Sequence, residues 1–66
     1  MNLIVNGEAY EVKRAESVTA LLEEMGIGGR AMVVVLNDEV IPASSRSACG
    51  LREGDCVELF RLVGGG

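Results

Sequence analysis

A small α+β domain, a mixed sheet of four to five strands with one main helix across it, is what this 66-residue sequence predicts. Three observations carry that expectation. Strand-like alternation opens the chain on either side of an Asn6-Gly7 pair, one helical stripe follows over 18–25, and further apolar strand patterns fill the second half.

Each element has a local reason. Met1, Leu3 and Val5 alternate with Asn2 and Ile4, and Asn6-Gly7 is the strongest two-residue hairpin signal. The return strand, Glu8 to Lys13, points Tyr10 and Val12 inward and Glu8, Glu11 and Lys13 outward. Ser17 is the expected N-cap of a helix, although Ala20 stands where a capping box would place Glu. Val18, Leu21, Leu22 and Met25 recur at helical spacing, and Gly26 is a natural stop. Glu23 and Glu24 fall in the last turn, where the helix dipole disfavours acids. An acidic contact surface or simple solubility would account for them.

Gly28-Gly29-Arg30 reads as a loop. The run Ala31 to Leu36 is apolar at every position, as in a strand covered on both faces or one with a sticky outer face. Asn37-Asp38 begins a turn, and Val40-Ile41 resumes as a short strand ended by Pro42. Residues 43–50 read as a loop with room for one helical turn, and Leu51 as a core anchor. Gly54-Asp55 turns the chain into a last strand, Cys56 to Val63. This ββαβ(β)β order is that of the β-grasp architecture, in which the first and last strands lie side by side at the centre. Residues 1–63 then form the single domain and 64–66 a flexible tail.

Composition narrows the function. A chain this short buries only about 60% of its unfolded surface, so it holds one aliphatic core and no deep catalytic cleft. It has one Phe, one Tyr and no Trp. A carrier, tag or binding module fits better than an enzyme, and no catalytic residue is expected. The net charge of −4 disfavours nucleic acid. No apolar stretch approaches the roughly 20 residues of a membrane span, and the start lacks a leader pattern. The expectation is a soluble, cytoplasmic protein, monomeric on its own. Cys49 and Cys56, with no His in the chain, match neither a zinc site nor a redox motif, so no metal is expected. The default role for Cys56 is that of a small hydrophobe.

One helix covers one face of a sheet. If Leu3, Val5, Tyr10, Val12, Val57 and Leu59 face it, alternation sends Ile4, Cys56, Glu58, Phe60 and Leu62 to the other side, with Val33 and Val35. An apolar patch without a second layer marks a protein contact, and Phe60 would be its aromatic anchor. Partial cover by loops 27–30 and 42–50 is the plainer alternative. The patch follows the strand that leads into Gly64-Gly65-Gly66. At ordinary glycine usage of roughly 7%, three in a row at a chosen place arise by chance about once in a few thousand sequences. A glycine tail has no Cβ and can thread a narrow channel, so another protein is expected to act on its carboxylate. A frayed or added end is the alternative.

The segments Met1-Asn2-Leu3-Ile4-Val5-Asn6-Gly7, Ser17 to Leu22, Leu36 to Pro42, Gly54 to Glu58 and Gly64-Gly65-Gly66 together resemble the thiamine-biosynthesis sulfur carrier family (ThiS). That family is a bacterial, ubiquitin-like β-grasp group, and the likeness covers the whole length. Ala43 departs from it, since members often carry Arg after the proline. The resemblance implies that an ATP-dependent, E1-like adenylating enzyme activates the Gly66 carboxylate. A sulfur donor such as a cysteine desulfurase then converts it to a thiocarboxylate, which thiazole synthase uses. It implies no permanently bound cofactor, ATP being used by the activating enzyme. Gly66 would carry sulfur, Gly64 and Gly65 keep the approach slim, and Arg61, Leu62 and Val63 position the tail. The expected partner interface is Ile4, Glu58, Phe60, Leu62 and Val63. The small subunit of molybdopterin synthase, a ubiquitin-like protein modifier and an inert interaction domain are the competing expectations.

Overall fold

Two tight turns with left-handed backbone set the two hairpins of the domain. The computed structural model describes residues 1–27 and 32–61. Asn6 and Gly7 have φ of 50° and 81°, as the reversed turn between strands β1 (Asn2–Val5) and β2 (Glu8–Glu11) requires. Asn37 and Asp38, at 49° and 69°, make the equivalent turn between β3 (Met32–Leu36) and β4 (Glu39–Ile41). Strand β5 (Cys56–Arg61) completes a five-stranded sheet in the order β2-β1-β5-β3-β4. β5 runs parallel to β1 and antiparallel to β3, so the first and last strands are central neighbours, as the sequence implies.

β2 ends at Glu11, two residues short of the expected Lys13: Val12 still donates to the Met1 carbonyl, its register partner, at 2.7 Å, but the Lys13 N–H turns to the Glu24 carboxylate at 2.9 Å. Helix α1 (Val18–Glu24) starts where expected: the Ser17 hydroxyl accepts the Ala20 N–H at 3.2 Å. Gly26 leaves the helix at φ 71°. Val18, Leu21 and Leu22 are buried against the sheet, and Met25 packs at the margin.

The core is aliphatic. Leu3, Val5, Val12, Val18, Leu21, Leu22, Met32, Val34, Val57 and Leu59 form one buried cluster with Ala15, and Leu51 packs at its edge. The segment after β4 makes a single 3-10 turn, Ala43–Ser45. It is stitched to the start of α1 by Val18 N–H to the Cys49 carbonyl at 3.0 Å and Leu51 N–H to the Glu16 carbonyl at 3.0 Å. Arg46, in this segment, is only 7% exposed. The last β3–β4 pair is Val34 with Ile41, after which Pro42 ends β4. The Arg46 guanidinium donates instead to the Met32 carbonyl, supplying the donor that the interrupted strand does not.

Candidate functional site

Strand parity builds the site. On β1 and β5, the residues between the buried Leu3, Val5, Val57 and Leu59 turn to the face away from α1. Ile4, Cys56, Glu58 and Phe60 are all exposed there, Ile4 by 38% and Phe60 by 50%. The register makes them one surface. Ile4 sits beside Cys56 across the parallel pair, while Phe60 faces Val33 and Glu58 faces Val35 across the antiparallel one. Val33 and Val35 are half-buried, and Met32 and Val34 alternate with them toward the core. The outward parity expected for this strand is therefore the observed one.

Val40 extends the surface. It pairs with Val35 on β4 and is 62% exposed. Sequence reasoning missed it because a two-residue apolar run gives no phase; its pairing with Val35 does. Cys56 opens β5 on the exposed face, the side to which strand alternation assigns it, and both cysteines are free thiols. Arg61, the last residue of β5, is also exposed. Leu62, Val63, Gly64, Gly65 and Gly66 lie outside the described residues.

β5, the strand leading to them, is held by side chains where its neighbours stop. Asn37 donates its N–H to the Cys56 carbonyl at 2.8 Å, and its side-chain oxygen accepts the Cys56 N–H at 2.9 Å. Its amide nitrogen also donates to Asp55 Oδ1 at 3.1 Å. On the opposite side, Asn6 donates its N–H to the Val57 carbonyl at 2.9 Å and accepts the Leu59 N–H on Oδ1 at 2.8 Å. In both turns the left-handed backbone swings the main-chain carbonyl aside, and the carboxamide oxygen takes its place in the ladder.

Among the described residues, no group of three or more Cys, Asp or Glu could hold a metal ion. No helix among them is long and apolar enough to cross a membrane. What the geometry offers is an exposed, largely apolar surface on the central strand β5 and its neighbours.

Among the described residues, a mixed five-stranded sheet with its first and last strands adjacent and one helix on one face defines a β-grasp domain. The family comparison is specific: residues 3–66 match the ThiS family model. The chain belongs to the ThiS family, the sulfur carriers of thiamine biosynthesis. It is similar to the sulfur carrier protein ThiS of Thermus thermophilus, 34% identical over 62 residues, covering 94% of this chain and 95% of that protein. It is also 36% identical over 66 residues to a thiazole synthase of Paramagnetospirillum magneticum, matching all of this chain but spanning only 20% of that relative's length. Among solved structures, the crystal structure of the thiamine biosynthesis protein ThiS from Geobacter metallireducens matches with a TM-score of 0.83 at 39% identity, each chain covered completely. The solution structure of a thiamine biosynthesis protein from the same organism gives 0.78 at 39% identity, covering all of this chain and 88% of that one.

Proposed function

We propose that the carboxyl group of Gly66 is the sulfur-bearing group, and that the chain acts as a co-substrate of partner enzymes rather than as a catalyst. The observation that carries this reading is the family match, which runs through Gly66 itself. A carboxylate is a poor electrophile. It therefore attacks the α-phosphorus of ATP on an E1-like adenylating enzyme, releasing pyrophosphate and leaving an acyl adenylate. The terminal sulfur of a persulfide, such as one borne by a cysteine desulfurase, displaces AMP. A second thiol then cleaves the acyl disulfide, the donor leaves as a mixed disulfide, and a thiocarboxylate remains on Gly66.

Thiazole synthase takes that sulfur. The similarity of this chain to one fifth of a thiazole synthase supports the pairing of carrier and synthase. Ile4, Glu58 and Phe60 form the docking surface together with Leu62 and Val63, and Gly64 and Gly65 admit the terminus to narrow active sites. Docking through the sheet face converts a chance encounter of the carboxylate into an oriented approach. No cofactor stays bound; ATP is consumed by the activating enzyme. The two free thiols fit the reducing cytoplasm that such a cycle needs.

Mass spectrometry of the protein recovered from its own cells tests this. A fraction with one terminal oxygen replaced by sulfur is expected. Isopeptide conjugates to larger proteins would indicate a modifier instead, and an unaltered terminus throughout active growth without thiamine would overturn the reading.

A further inference from the structure

We infer that Asn6 sets the point at which β5 is released toward the C-terminal glycines, which makes it a positioning residue for loading of the carboxyl group. The inference rests on the carrier reading above. β1 ends at Val5, opposite Val57, so its backbone reaches no further along β5. The Asn6 side chain carries the support two residues onward, accepting the Leu59 N–H at 2.8 Å across 53 positions of sequence. Phe60 and Arg61 are then paired with β3 alone, through Val33 and Met32. Among the described residues, Leu59 is the last point at which β5 is gripped from both sides.

The hairpin does not need that oxygen. At φ 50° a Gly at position 6 would make the same turn, with less strain and no side chain. The carboxamide is surplus to the turn and serves β5. Five residues follow Arg61, a reach of about 17 Å when fully extended. Without the grip at Leu59 the end of β5 hangs on β3 alone, and each opening of the Phe60 and Arg61 pairs adds two residues of slack, about 7 Å. A longer tether lowers the effective concentration of the carboxylate at a site a fixed distance from the docked face.

Asn37 supplies the control. It holds Cys56 by an equivalent bond, but at the opposite end of β5. The variants are Asn6→Gly, which keeps the turn and removes the oxygen, Asn6→Asp, which keeps an oxygen at that position, and Asn37→Gly. Each is assayed with the source cell's adenylating enzyme by ATP–pyrophosphate exchange, resolving kcat from KM, and by amide hydrogen exchange of the free protein. Asn6→Gly is expected to accelerate exchange at Leu59, Phe60 and Arg61 and to lower kcat about tenfold with KM nearly unchanged. Asn6→Asp is expected to restore both, and Asn37→Gly to leave kcat at the wild-type level. Wild-type turnover by Asn6→Gly, or an equal loss in Asn37→Gly, overturns the proposal. Failure of the wild-type chain to be adenylated sinks the carrier reading instead, and the amide-exchange pattern still judges Asn6.

Discussion

The Tyr10 hydroxyl donates to Glu24 Oε2 at 2.9 Å, tying β2 to the last turn of α1. The same carboxylate accepts the N–H groups of Lys13 and Arg14, each at 2.9 Å, and of Ala15 at 3.1 Å. One side chain thus satisfies three consecutive N–H groups of the segment joining β2 to α1. An acid at a helix C-terminus opposes the dipole, but four donors converging on one carboxylate outweigh that cost.

These bonds have a pH signature. The Glu24 carboxyl is held down at about 2, chiefly by the Lys13 and then the Arg14 N–H groups, with Tyr10 and Ala15 adding to them against partial desolvation. The Tyr10 hydroxyl is pushed up, first by its hydrogen bond to Glu24. Because the folded value for Glu24 lies below its ordinary 4.5, the stabilisation is complete above that pH and is lost as pH falls toward about 2. Urea midpoints measured across that window should drop for the wild-type chain. Glu24→Gln should be less stable at neutral pH and flatter across the window; an equally steep fall would assign the acid sensitivity to other groups.

Phe60 is half exposed, so truncating it removes little from the core. Phe60→Ala should change unfolding stability by less than about 1 kcal/mol while weakening partner binding by about 2 kcal/mol or more, as for an aromatic anchor. Calorimetric titration with thiazole synthase, alongside a thermal melt, separates the two effects. Unfolding of the variant would contradict its outward placement.

Removal of Gly66 should abolish adenylation and leave the amide spectrum of residues 1–61 unchanged. Pyrophosphate exchange by the truncated chain at the wild-type rate would locate the activated group elsewhere.

Leu21 is fully buried, and Leu21→Ala should cost about 2–5 kcal/mol, enough to unfold much of a domain this small. Gly26→Ala isolates a different cost. A Cβ there meets nothing within 4 Å, so only the backbone at φ 71° objects, by about 1 kcal/mol. Guanidinium unfolding curves for both variants check the contrast.

Much of the architecture was legible because its causes are local. Asn6-Gly7 specifies the hairpin, Ser17 and Gly26 bracket the helix, and period-two alternation assigns Ile4, Glu58 and Phe60 to one face. What could not be read depends on backbone partners far along the chain. Glu24 binds amides that Lys13, Arg14 and Ala15 share with any residue, so no side-chain pattern announces it. The grip of Asn6 on Leu59 and of Arg46 on Met32 likewise leaves no trace in residue types. Val40 escaped because its face is fixed only by pairing with Val35.

β5 comes last in chain order among the five described strands, yet it is the middle of the sheet. A nascent chain that has reached residue 55 holds two hairpins and a helix with a missing seam between them, and their apolar sides stay unsealed. Long-range closure waits until residues 56–61 clear the ribosome. Prematurely terminated copies consequently remain open and degradable, and a natively shaped sheet exists only on molecules whose synthesis has passed that strand.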